Sequence, residues 1–126
     1  MIRGIVTADK AIISICVMSS GGLSQEVRAL VDTGFSSELA LPSSTITELG
    51  LKWWTNDLVL LADGSELTVA AYEATVIWHG IERRILVHQA ESQPMMGMKL
   101  LRGNELKIQV VSGGPVTIKP VQRRRT

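Results

Sequence analysis

Apolar positions along this chain recur in short runs broken by turn residues, and helical spacing is rare. Ala11–Met18 is apolar at nearly every position, while Gln25–Val31 alternates Gln25, Val27, Ala29 and Val31 against Glu26, Arg28 and Leu30. Runs of this kind, rich in β-branched residues, predict strands. Ser19-Ser20-Gly21-Gly22 supplies the turn between them. Glu38–Leu41 reads as a short apolar strand closed by Pro42, because proline cannot continue a ladder. Thr45-Ile46-Thr47-Glu48 fits a capping box and Gly50 fits a helix C-terminus, predicting a helix of about two turns. Leu58–Leu61 and Leu67–Val69 flank Ala62-Asp63-Gly64-Ser65-Glu66. Asp-Gly between apolar runs predicts a hairpin with a type I′ turn.

Val69–Trp78 and Ile81–His88 predict a second hairpin about His79-Gly80. Met95-Met96-Gly97-Met98-Lys99-Leu100-Leu101 then runs through a glycine into a short helix. Leu106–Val111 and Val116–Ile118 are the last predicted strands, joined by Ser112-Gly113-Gly114-Pro115. Strand, hairpin, apolar run, glycine and short apolar segment occur in this order twice, around Asp32 and again around Gly97. That repetition predicts an internal pseudo-two-fold in an all-β domain.

Composition narrows the function. With 126 residues, 45% of them hydrophobic and 20% charged, the chain is one folded domain with a real core. A net charge of +1 gives no global attraction to nucleic acid, and no basic stripe with interleaved aromatics supports such a partner. Cys16 is the only cysteine, so no intrachain disulfide is possible, and its apolar run predicts a buried, inert thiol. No segment is apolar for long enough to span a bilayer and the N-terminus lacks a signal-peptide layout. The expectation is no membrane association and a cytoplasmic location. Arg123-Arg124-Arg125 predicts a solvated basic tail over residues 121–126, which leaves residues 1–120 as the domain.

The candidate chemistry centres on Ala29-Leu30-Val31-Asp32-Thr33-Gly34-Phe35. An apolar strand ending in a carboxylate carries that carboxylate toward the interior, where it needs hydrogen bonds or a second charge. An aspartate that merely caps its own turn is the plain alternative. His79 and His88 have no cysteine or acidic partner at ligand spacing, so no metal site is predicted and both read as ordinary surface or strand residues. Met95, Met96 and Met98 read as core or interface filling, and Trp53-Trp54 as packing residues beside a helix end.

Taken in order, Leu30-Val31-Asp32-Thr33-Gly34, Leu39-Ala40-Leu41-Pro42, Asp63-Gly64 and Met95-Met96-Gly97 through Leu101 resemble the retropepsin-like aspartic peptidases. The resemblance runs from about Ile12 to Leu101, far more of the chain than Asp-Thr-Gly alone. It implies a single-lobed, all-β acid-protease barrel with short helices, acting without metal or organic cofactor on a peptide or protein substrate. Asp32 is then the catalytic carboxylate, with Thr33 and Gly34 supporting its loop. Phe35, Leu61, Ala62, Asp63 and Gly64 contact substrate or form the flap. Because the chain carries a single Asp-Thr-Gly, the resemblance implies a homodimer with one Asp32 from each subunit.

The departures are informative too. Phe35 cannot donate the hydrogen bond to the carboxylate that a serine there would, which predicts a working range less acidic than pepsin's. Ser36 and Met98 replace both members of an ion pair found in retroviral members, which points to cellular or bacterial relatives instead. Lys99 stands where the family usually has Asp or Asn. Two other classes remain open: a catalytically silent dimer that binds extended peptides by strand addition, and a scaffold domain whose basic tail is the functional part.

Overall fold

The structure is a computed structural model and describes residues 1–122. The strands β1 (Ile2–Thr7), β2 (Lys10–Met18), β3 (Ser24–Val31) and β4 (Leu39–Leu41) lead into helix α1 (Ser43–Leu49). The same succession follows as β5 (Lys52–Leu60), β6 (Glu66–Trp78), β7 (Ile81–Gln89), β8 (Met95–Met96) and α2 (Met98–Leu101). A last hairpin, β9 (Asn104–Ile108) and β10 (Pro115–Pro120), completes the described residues.

These strands form one sheet in the order β5-β6-β7-β4-β8-β3-β2-β1-β10-β9. A further β2–β6 pairing, with Val17 opposite Val76, closes β6-β7-β4-β8-β3-β2 into a barrel. From β5 to β1 the order is palindromic, so β5 matches β1, β6 matches β2, β7 matches β3 and β4 matches β8. The two short strands are exchanged between the halves. β4 runs parallel to β7, with Leu39 beside Val87, and β8 runs parallel to β3, with Val31 beside Met96. A pseudo-two-fold expected from element order is therefore present, but it pairs Asp32 with Ala90 and not with the segment at Gly97.

Packing explains the shortest element. Leu39, Ala40 and Leu41 are no more than 1% exposed, so this three-residue strand is held by burial on both faces. Each leucine contributes about 1.5–3 kcal/mol by that burial. In β3 the predicted alternation holds: Val27, Ala29 and Val31 are buried while Glu26 and Arg28 are not. Ile13, Val17, Val76, Val87, Met96 and Leu100 complete the barrel interior.

Several expectations are corrected. β1 was not predicted, because its turn into β2 uses Ala8 and Asp9 at positive φ (52° and 61°) without any glycine or proline. Trp53 and Trp54 are not packing residues beside a helix end. They lie on β5, 57% and 59% exposed, at an irregularity where Trp53 opposes Tyr72 and Thr55 already opposes Ala71. The extra residue disrupts the alternation that would have turned one ring inward.

α1 starts two residues before the predicted capping box, with Pro42 as its N-cap and no side-chain cap of its own. Glu91, from the loop after β7, accepts the Ser43 N–H at 2.9 Å instead. Hydrogen bonds from the Ser43 side chain and backbone hold the Glu91 carboxyl below its ordinary range. Gly50 takes the predicted left-handed C-cap, at φ 65°.

The hairpin about Asp63-Gly64 forms, but not with a type I′ turn. Gly64 N–H donates to Leu61 O at 3.0 Å and only Gly64 has positive φ, a three-residue loop with a left-handed last position. Cys16 is half-buried rather than buried. Val116 and Ile118 are fully buried in β10, which is paired on both sides by β1 and β9. Arg123–Arg125 lie outside the described residues. Among those described, no helix is long and apolar enough to cross a membrane.

Candidate active site

β3 delivers Asp32 to the end of the barrel, where its main chain is pinned. The Asp32 N–H donates to Met96 O at 2.9 Å, and Asp32 O accepts the Phe35 N–H at 3.1 Å. The Asp32 side chain turns back on its own loop, with Oδ1 accepting the Gly34 N–H at 2.9 Å. That bond is the Asx turn of the plain reading, and the same carboxylate also lines a cleft. No other hydrogen bond from the described residues reaches it. Oδ2 is left for water or another ligand.

Beneath the loop lies the N-terminus of α2. Gly97 N–H donates to Glu38 O (2.9 Å), Met98 N–H to Phe35 O (2.8 Å) and Lys99 N–H to Ser37 O (3.2 Å). The helix-start donors, which have no partner within a helix, are thus satisfied by the carbonyls of the Asp32 loop. The approach is close enough to require glycine. A Cβ on Gly97 would lie 2.6 Å from Phe35 O and closer still to Ser37 O.

Glu38 adds a charged brace. It is only 7% exposed, and it accepts the Leu86 N–H at 3.1 Å and an Arg83 N–H at 3.3 Å. Arg83 also donates to Leu100 O at 3.4 Å, joining the loop, β7 and α2. Neither Ser36 nor Met98 takes part in this pair, which joins the Asp32 loop to β7.

The cleft has a volume of about 590 Å³ and is roofed by the β5–β6 hairpin. Of the predicted site residues, Asp32, Gly34, Phe35, Leu61 and Ala62 line it. Thr33 is exposed beside it, and Asp63 and Gly64 lie at the hairpin tip outside it. The Ser65 hydroxyl and N–H hold the Asp63 carboxyl below its ordinary range, at 2.6 and 2.9 Å from Oδ1. Leu58 and Leu60, also on the cleft, are 69% and 73% exposed on the hairpin.

Two cleft residues escaped the sequence reading. His88 is a strand residue as expected, but a buried one, and its Nε2 lies 2.8 Å from Asp57 Oδ2. Its ring meets Phe35 edge-on, with centroids 6.4 Å apart. The partners are 31 residues apart, beyond any ligand spacing. The available signal was the alternation of β5, in which Thr55, Asp57 and Val59 share the half-buried face. Among the described residues, no cluster of three metal-ligating side chains occurs.

Among the described residues, the second half of the fold places no carboxylate at the position equivalent to Asp32. Ala90 N–H donates to Leu41 O at 3.0 Å as Asp32 N–H does to Met96 O, so Ala90 occupies the pseudo-two-fold position of Asp32. Glu91 follows it, but that carboxylate is engaged by α1.

No protein-family model matches the chain, and no curated protein matches it. Among solved structures it is similar to the EIAV protease complexed with the inhibitor HBY-793, with a TM-score of 0.56 and 15% sequence identity. The match covers 75% of this chain and 88% of that one. Identity this low shows the fold alone: an all-β, retropepsin-like barrel with short helices.

Proposed function

We propose that the chain is an aspartic endopeptidase that works as a homodimer. The observation that carries this reading is Asp32 itself, held by its backbone to β8, bonded through Oδ1 to its own loop, and open to a 590 Å³ cleft under a hairpin. The retropepsin-like fold supports it. Ala90 at the pseudo-two-fold position supports the requirement for a second subunit, since the chain supplies half a dyad. Exposed Thr33 would hydrogen-bond across the two-fold axis, and Gly34 would permit the turn that aims the carboxylate.

Two carboxylates brought together cannot both ionise cheaply, so they share one proton and titrate as a pair. The ionised one takes a proton from water, whose oxygen adds to the scissile carbonyl carbon. The protonated one gives its proton to the carbonyl oxygen. Collapse of the resulting gem-diol breaks the C–N bond as the nitrogen takes the proton received by the first carboxylate and a gem-diol hydroxyl gives its proton to the second, which restores the singly protonated pair. The hairpin with Leu61, Ala62, Asp63 and Gly64 acts as the flap that excludes water. A kinship with cellular or bacterial relatives is part of this proposal, supported by the absence of both charged members at Ser36 and Met98.

The test is incubation of the purified protein with a diverse peptide mixture across mildly acidic pH, mapping new termini by mass. Wild type is expected to cleave and Asp32→Asn to be inactive. Cleavage that survives in Asp32→Asn removes Asp32 from the mechanism. No cleavage by a verified dimer favours the silent peptide-binding reading.

A further inference from the structure

The β5–β6 hairpin leaves the barrel at a defined rung. Ala71 opposite His88 is the last β6–β7 pair, and beyond it β6 pairs only with β5. Asp57, opposite Val69, stands on the first turn of that projecting ribbon. The Asp57–His88 contact therefore bridges the hairpin's outer strand to β7 across β6, at the point where the hairpin would hinge. It is a second tie, independent of the ladder.

The histidine is costly to the fold. Its side chain is only 9% exposed, and Nδ1 is buried with no partner among the described residues. With the carboxylate as acceptor, Nε2 is the donor of this bond, assigned from the geometry, and Nδ1 is the nitrogen left unpaired among the described residues. An apolar side chain would fill this place without an unsatisfied atom. The same ring packs edge-on against Phe35, whose N–H and C=O anchor the Asp32 loop to itself and to α2. One imidazole thus contacts both the hinge of the hairpin and the loop that carries Asp32.

We propose that Asp57 and His88 form a positioning latch that fixes the base of the β5–β6 hairpin against the cleft wall and sets how the hairpin closes over a bound peptide. The claim about closure over substrate rests on the peptidase reading; the latch itself does not. A loosened hairpin must be ordered again when peptide binds, which weakens binding before it affects chemistry.

Amide hydrogen exchange on the full chain tests the latch without substrate. Asp57→Ala is expected to speed exchange over Leu58–Leu67 about tenfold, the scale of one hydrogen bond to a charged group. Exchange in β2 and β3 stays unchanged. Asp57→Asn keeps an acceptor for the Nε2 proton and is expected to restore slow exchange. In the peptidase assay Asp57→Ala raises KM about tenfold with kcat little changed. If Asp57→Ala also loosens β2 and β3, His88→Leu, which removes the tie but fills the core, takes its place and is expected to loosen the hairpin alone. Hairpin exchange unchanged in an intact fold, or Asp57→Asn behaving as Asp57→Ala, overturns the latch. Loosening in Asp57→Ala, alongside a wild type that cleaves nothing, sinks the peptidase reading and leaves the latch standing.

Discussion

Gly97→Ala isolates the contact between α2 and the Asp32 loop. At φ −105° and ψ 177°, Gly97 has a backbone that alanine adopts freely, so any cost is steric. The added Cβ would lie 2.6 Å from Phe35 O, about 0.8 Å short of the 3.4 Å at which ordinary contact begins, and closer still to Ser37 O. Both obstacles are backbone atoms, which cannot rotate away as a side chain would. Clearing the closer Ser37 O requires the loop to lift by about an ångström or more, stretching the bonds from Met98 N–H and Lys99 N–H. Overpacking together with these weakened bonds is expected to cost about 2–4 kcal/mol in urea denaturation. A displacement of about 1 Å at Asp32 is expected to lower kcat/KM about 100-fold. Gly64→Ala is the control: φ there is 87°, yet nothing lies within 4 Å of a Cβ. Its cost is conformational only, about 1 kcal/mol. If the two variants are equally stable within error, the steric account of Gly97 is wrong.

Glu38→Ala strands the Arg83 guanidinium and the Leu86 N–H beside the loop, and is expected to cost about 2–3 kcal/mol in urea denaturation; a loss below about 0.5 kcal/mol would remove Glu38 as the brace. Glu91→Ala removes the tertiary cap of α1 and is expected to lower Tm at neutral pH. The Ser43 hydrogen bonds hold the folded-state pKa of Glu91 below the ordinary carboxylate value, so its stabilisation is present above that ordinary value and lost as pH falls through the lowered pKa. The Tm difference between wild type and variant should therefore close in acid; a difference that stays constant with pH would refute this.

Much of the site was legible because local side-chain direction carries it. Alternation in Gln25–Val31 placed Val31 inside and Asp32 at the strand end, and the glycine before Met98 marked where the short helix α2 begins. Trp53-Trp54 misled because one extra residue in β5 shifts the alternation, and the shift shows only against the register of β6. The capping box at Thr45 misled because a stronger acceptor, Glu91, arrives from 48 residues away and caps the helix at Ser43 instead.

The sequence by itself determined an all-β chain whose order of elements repeats, with one carboxylate at the end of an apolar strand before Thr33-Gly34. Strand period, turn chemistry and glycine placement are properties of neighbouring residues, so they survive without a fold. Only the tertiary structure decided that β4 and β8 exchange between halves, that Gly97 lies under Phe35 and Ser37, and that Ala90 stands where a second aspartate would. It also decided that Asp57 and His88 meet at the base of the hairpin. Those facts depend on contacts across dozens of residues, where no local pattern constrains which side chain faces which.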